Sequence, residues 1–406
     1  MARRLLLVAS KAGYQTEAFA AAAARLGVTL ELATNRCHHL EDPWGDGALA
    51  VDFDHPELEA RGWDGIAAVG DQASIVAALL AERFGLRYHP LDAVRACRSK
   101  FEMRERFRKA GLLTPVYRRI RVSEGGAPIS FPCVLKPIGL SASRGVIRAN
   151  DAVEFEAAFA RIARMLSTTP DLVRDPASEY IQVEEFIPGR EFAIEGIMTR
   201  GRLEVLAIFD KPDPLDGPFF EETIYTTPSR EAEEVQQAIR ETTQLAVTAL
   251  GLTDGPIHGE CRVNDRGVWM LEIAARPIGG LCARVLRFDS GLSLEEVIVR
   301  HAIGEATGEQ TLARGGAAVM MIPIPRSGIY HDVRGVDDAL GVAGIEGIEI
   351  TAVPGQKLVP LPEGASYLGF IFARGASAAE AEASVREAHG KLAFDVHMAL
   401  SLLGKN

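Results

Sequence analysis

The sequence predicts an α/β fold that passes into α+β, on three observations. Short apolar runs alternate with Ala-rich amphipathic stretches through the first hundred residues. From about residue 132 the apolar runs crowd together, joined by Pro188-Gly189 and Arg200-Gly201 turns. Beyond about residue 305, strands at 317–324, 345–353 and 367–373 precede one last helix over 377–390.

Taken in order, residues 4–9 read as a buried strand and 15–26 as an Ala-rich helix closed by Gly27. A strand over Val28–Ala33, a strand over Gly65–Val69 and a helix over Ser74–Phe84 ending at Gly85 complete a Rossmann-like pattern with a parallel sheet. No GxGxxG follows the first strand, so a dinucleotide site is not supported. A helix runs from Lys100 to Gly111, and Thr114-Pro115 marks its exit. Pro132–Lys136 is a strand, Gly139–Gly145 a loop and Val153–Leu166 a helix. Strands follow at 181–187, 191–198 and 203–209, then a long amphipathic helix over Arg230–Leu250. Gly315-Gly316 and Pro323-Ile-Pro325 suggest a module boundary.

The chain has 406 residues, 47% apolar and 24% charged, which suits two or three domains with substantial cores. Its net charge of −11 comes without a long basic run, which argues against nucleic acid or an anionic membrane as partner. The apolar run near the start is too short for a signal peptide, and Lys11 follows it at once. Cysteines 37, 97, 133, 261 and 282 form no metal spacing, so they are expected as small buried residues in a reducing, cytoplasmic setting.

Chemistry centres on His258–Glu272, which reads as strand, turn, strand. A three-residue loop Asp265-Arg266-Gly267 would place Gly where φ is positive, pair Asn264 with Val268, and so pair Glu260 with Glu272. A two-residue Asp-Arg loop would put the two acids on opposite faces. Carboxylates ~4 Å apart repel by about 4 kcal/mol at an effective dielectric near 20. A shared proton or a hard divalent cation would offset this. A solvated hairpin with two unrelated surface acids fits the same residues equally well.

Upstream, Lys136 ends an apolar strand and the loop Gly139-Leu-Ser141-Ala-Ser143-Arg144-Gly145 follows, with amides, hydroxyls and charge suited to phosphate oxygens. It is not a Walker pattern. Glu184-Glu185-Phe186-Ile187-Pro188-Gly189-Arg190-Glu191 offers a strand edge to a purine and an acid to ribose; a surface hairpin is the plain alternative. Gly279-Gly280 is either a substrate-facing turn or the entry to a helix. Lys211 is expected to be exposed, Cys282 lacks a base nearby in sequence, and His258 and His331 are expected to be structural.

In this order, Lys100, Lys136 with its glycine loop, Glu184 to Glu191, Glu260, Glu272 and Arg276 resemble the ATP-grasp superfamily, and within it the carboxylate–amine ligase branch that includes bacterial L-amino acid ligases. The resemblance implies an N-terminal Rossmann-like domain (1–97), an ATP-grasp domain (98–305, with an ATP lid subdomain over about 115–190) and a C-terminal mixed α+β region (306–406). It implies ATP with Mg²⁺, or Mn²⁺, as cofactors. Lys100 and Lys136 would contact phosphates, Ser141 and Ser143 would lie in the closing loop, and Glu184 with the Glu185–Ile187 backbone would hold adenine. Glu191 would bind ribose, Glu260 and Glu272 the metal, and Arg276 the phosphoryl transition state. Glu222, Tyr225, Arg276, Gly279 and Gly280 would face substrate. Two departures stand out: Tyr225 replaces the family's histidine, and Ala274 replaces an asparagine metal ligand.

The implied reaction activates a small-molecule carboxylate as an acyl phosphate and joins it to an amine, in a homodimeric cytoplasmic enzyme without nucleic-acid or membrane partners. The competing expectations are a carboxylating enzyme of the biotin carboxylase or purine-pathway type, and a nucleotide-binding regulatory protein.

Overall fold

The computed structural model describes residues 2–10, 13–35, 48–169 and 175–398. They form two compact units. The first comprises 1–114, 192–209 and 231–314, and the second 115–191, 210–230 and 315–406.

The first unit opens with a parallel sheet in the order Ala48–Ala50, Thr29–Thr34, Arg4–Ala9, Gly65–Val69. The apolar run Leu5-Leu-Leu-Val8 is buried on both faces, as parallel strands covered by helices require. The chain builds outward from Arg4–Ala9 and then returns to its other side, so a topological switch point lies between it and Gly65–Val69. Asp71, the first residue of helix Asp71–Phe84, sits at the carboxyl end of that strand pair, where open α/β sheets place ligand-handling groups.

Strands Gly255–Asn264 and Gly267–Ala274 form an antiparallel hairpin in the same unit. Helix Glu233–Leu250 packs on it through Ile239, Thr243, Ala246, Val247 and Leu250, spaced as one helical face. Left-handed Gly251, φ 82°, ends that helix. Helix Lys100–Lys109 begins at Ser99, whose hydroxyl accepts from the Glu102 amide at 3.2 Å. Met103 and Phe107 of this helix, with Ile257, Cys261 and Met270 of the hairpin, belong to one apolar core with the parallel sheet.

The second unit contains an antiparallel sheet in the order Tyr117–Arg121, Tyr180–Glu185, Cys133–Pro137, Ile147–Ala149, covered by helix Ala152–Thr168. Strands Ile224–Thr227, Gly316–Ile322, Gly369–Gly375 and Ile345–Ile350 form a further antiparallel array against helix Ala378–Lys391. Gly316, expected at a module boundary, has a packing reason: a Cβ there would lie 2.0 Å from the Ala378 amide. Lys357–Leu358, Gly328–Arg334 and Ala393–His397 make a small sheet that the sequence reading did not foresee.

Two local expectations are corrected. The helix expected from Arg230 starts at Glu233, because Asp210 accepts from the Ser229 hydroxyl (2.5 Å) and the Arg230 amide (2.9 Å) and holds that stretch outside the helix. The hairpin turn has two residues, not three: Asn264 pairs with Gly267. Cys97, Cys133, Cys261 and Cys282 are buried free thiols, while Cys37 lies outside the described residues.

Candidate active site

With Asn264 opposite Gly267, unbroken antiparallel register would pair Glu260 with Leu271 and turn Glu272 to the opposite face. A β-bulge prevents this. Cys261 pairs with Met270, Glu260 pairs with Glu272, and Leu271 is the extra residue. The expected pairing is therefore present, reached through a short turn plus a bulge.

Each acid has its own cationic neighbour. Lys100 Nζ lies 3.4 Å from Glu272 Oε2, and His258 Nε2 lies 3.5 Å from Glu260 Oε1. Burial opposes charge on His258. The adjoining Glu195 carboxylate, 2.5 Å from Nδ1, and then Glu260 outweigh it and push the imidazole up to about 9, so it is protonated at neutral pH. Part of the repulsion between Glu260 and Glu272 is thus offset by protein groups. Both side chains remain about one quarter exposed, and hard carboxylate oxygens reachable from solvent suit Mg²⁺ or Mn²⁺. Ala274 supplies no donor.

Glu195, fully buried, also accepts from the Ile278 amide at 3.1 Å, while the Ile278 carbonyl accepts from Gln15 Nε2 at 2.9 Å. These bonds fix the approach to Gly279 and Gly280, which lead into a short 3-10 turn at Cys282–Val285 rather than into an α-helix. Arg276 Nε donates to Asp71 Oδ1 at 2.5 Å, and Nη1 to the Pro277 carbonyl at 3.0 Å. Burial opposes its charge, but Asp71 more than restores it, and the guanidinium pKa is raised. Sequence reasoning missed Asp71, Glu195 and Gln15. Only Asp71, opening a helix directly after a βα strand, carried a readable signal.

In the second unit, Lys136 Nζ contacts Glu184 Oε2 at 2.5 Å, and Glu184 Oε1 accepts from Gln182 Nε2 at 2.6 Å. The register places Lys136 opposite Gln182 on adjacent antiparallel strands, with Glu184 two pairs further along, opposite Val134 and on the same face. The Glu185 and Phe186 amides donate to the Val116 and Pro132 carbonyls, at 2.9 and 3.1 Å. Ile187 is buried beside them. The Arg148 guanidinium lies 4.1 Å from the centre of the Phe186 ring, which stacks on Phe220. In the glycine loop, Ser141 and Ser143 are half-buried. Ala142 and Ser143 take φ of 55° and 52°, a region L residues rarely occupy. The Ser141 carbonyl accepts from the Arg144 amide at 3.2 Å, and the Ser143 carbonyl from Val146 at 3.1 Å.

Lys211, expected to be exposed, is buried, with its side chain 2% accessible. Its ammonium contacts Glu191 Oε1 at 2.9 Å and also Glu222, and lies 5.2 Å from the centre of the Tyr225 ring. The structure thus gathers three expected residues around one that exposure arguments had dismissed.

Residues 129–285 match the ATP-grasp domain family, and residues 320–397 match L-amino acid ligase C-terminal domain 2. The alanine–anticapsin ligase of Bacillus subtilis (strain 168) is 30% identical over 237 residues, 54% of this chain and 49% of that protein. The chain spans about half the length of the curated relatives with which it shares this identity. The crystal structure of an L-amino acid ligase from Bacillus licheniformis superposes with a TM-score of 0.79 at 25% identity, covering 97% of this chain and 99% of that one. A carboxyaminoimidazole ribonucleotide synthase from Aspergillus clavatus complexed with ATP superposes at 0.69, with 17% identity over 95% and 97% of the two chains, and shows the fold alone. ATP is the nucleotide of this family. Among the described residues no helix is long and apolar enough to cross a membrane. Residues 129–285 thus carry an ATP-grasp domain, and residues 320–397 a C-terminal domain of the L-amino acid ligase type.

Proposed function

We propose that the chain is an ATP-dependent ligase that joins a small carboxylic acid, of amino acid or short peptide type, to an amine. One observation carries the proposal: Glu260 and Glu272 face each other with Lys100 beside one of them, an arrangement suited to a metal–phosphate centre. The likeness to the Bacillus licheniformis L-amino acid ligase over nearly all of both chains supports the choice of acid and amine.

Roles follow from charge. Glu260 and Glu272 would hold Mg²⁺, which supplies neutralisation of phosphate charge. Lys100 and Lys136 are cations for the nucleotide phosphates, Lys136 being fixed in direction by buried Glu184. Lys211 ties together Glu191 and Glu222, the acids proposed for ribose and substrate, and holds both in place. Arg276, braced on Asp71, would stabilise charge on the moving phosphoryl group. A substrate carboxylate oxygen bonds to the γ-phosphorus as its bond to ADP breaks. The amine nitrogen then bonds to the acyl carbon, phosphate leaves, and the amine gives up a proton. The Gly139–Gly145 loop would keep water from the mixed anhydride. A cytoplasmic homodimer belongs to the same proposal, on family resemblance, and light scattering at the 43.8 kDa of one chain would count against the dimer.

A phosphate-release screen over pairs of amino acids and small acids with ATP and Mg²⁺ tests this function. The expected result is release that needs both an acid and an amine. Release with bicarbonate alone, or ATP binding without turnover on any pair, would contradict it.

A further inference from the structure

Arg104 lies one helical turn beyond Lys100 on helix Lys100–Lys109 and is fully buried. One guanidinium nitrogen, Nη1, donates to the Leu271 carbonyl at 2.9 Å and to the Met270 carbonyl at 3.3 Å. These are the two residues at the register shift, where the strand carries an extra residue and the ladder is interrupted. Main-chain carbonyls at such a point need donors from outside the ladder, and a buried guanidinium provides them with charge-assisted bonds. The same helix therefore delivers two cations in successive turns, Lys100 to the Glu272 carboxylate and Arg104 to the backbone just before it.

We propose that Arg104 is a positioning residue for the divalent-cation site: it maintains the bulge at Leu271, and the bulge turns Glu272 toward Glu260. This rests on assigning that carboxylate pair to a cation. Without the bulge, the two-residue turn would rotate Glu272 to the side of Met270, which is buried in the core. Arg104 reaches the strand through the Leu271 and Met270 carbonyls. It acts through the main chain, and its loss should weaken metal affinity rather than nucleotide affinity.

The test is Mn²⁺ binding followed by electron paramagnetic resonance in the presence of ADP, with no turnover required. Alongside it, ADP affinity is measured in EDTA and folding by thermal melting. For R104M the expected result is Mn²⁺ affinity at least tenfold weaker, ADP affinity within twofold of wild type, and a cooperative melt. R104K should recover most of the loss. Deleting Leu271 in the R104M background restores a regular ladder in which Glu260 already faces Glu272, so Mn²⁺ affinity should return toward wild type. If R104M does not fold, R104Q with and without Leu271 carries the same comparison, the deletion being expected to raise Mn²⁺ affinity. Wild-type Mn²⁺ affinity in a folded R104M protein would overturn the role of Arg104, as would the absence of any gain from the deletion. No Mn²⁺ binding by the wild-type chain, with Glu272→Gln indistinguishable from it, would instead overturn the metal assignment.

Discussion

Glu260 stands directly opposite Glu272 even though only Asp265 and Arg266 separate the paired ends of their strands. The extra residue, Leu271, brings the two acids to one face. Replacing Glu272 by Gln removes a charge that is more than one quarter exposed and contacts Lys100 at 3.4 Å, so stability should change by less than about 1 kcal/mol. Turnover should fall by about 100-fold or more, as expected on losing a preorganised charge at a phosphoryl-transfer centre. Urea unfolding and phosphate release measure the two effects. Undiminished turnover would remove Glu272 from the site.

Lys211 holds two carboxylates together in a buried place. K211M should therefore cost about 3 kcal/mol or more, because it leaves Glu191 and Glu222 without the cation that neutralised them. Adding E222Q should recover part of that stability by removing one of the two charges, while turnover stays low. A double-mutant cycle by urea unfolding checks the coupling. Equal stability of K211M and the wild-type chain would show that the lysine neutralises neither acid.

His89 is buried and neutral: the Thr253 amide lies 3.3 Å from Nδ1, and Nε2 lies 3.1 Å from the Pro256 carbonyl. Burial lowers its pKa to about 4, and His301 is lowered to about 4 for the same reason. Between pH 6.5 and 4 the unfolded chain binds protons that the folded chain refuses. The stability due to each histidine is complete above pH 6.5 and is lost as pH falls toward 4, by about 2–3 kcal/mol each. Denaturant midpoints across this range should fall with acid, and less steeply in His89→Gln. An unchanged slope in that variant would show that His89 titrates normally.

Cys282 follows Gly279-Gly280 but is 2% exposed. Cys282→Ala should leave turnover within twofold of wild type, because the proposed chemistry uses no thiol nucleophile. The native protein should react slowly with thiol reagents at Cys97, Cys133, Cys261 and Cys282, and fully after unfolding, since all four are buried. Abolished turnover in Cys282→Ala, in a protein that melts normally, would place the thiol in the reaction.

Much of this arrangement was legible in the chain. Alternating apolar runs located the parallel sheet, and the spacing of lysines, acids and Arg276 pointed to a nucleotide. Periodicity could not reveal the bulge, because a bulge is a mismatch between two strands and each strand alone reads normally. Nor could it reveal that Lys211 is buried, since burial of a lysine depends on acids contributed from residues 191 and 222. The helix start at Glu233 was missed for a related reason: Asp210, twenty residues earlier, competes for the Arg230 amide. The small sheet joining 328–334 with 393–397 depends on pairing across about sixty residues, which local patterns do not encode.

In the proposed reaction the acid is activated by direct phosphorylation on its carboxylate. Supplying that acid with ¹⁸O in both carboxylate oxygens, together with ATP, Mg²⁺ and the amine, and weighing the released phosphate by mass spectrometry, tests this directly. One ¹⁸O atom should appear in each phosphate, carried over when the amine displaces it from the acyl carbon. Phosphate free of label, formed along with the amide product, would contradict the account.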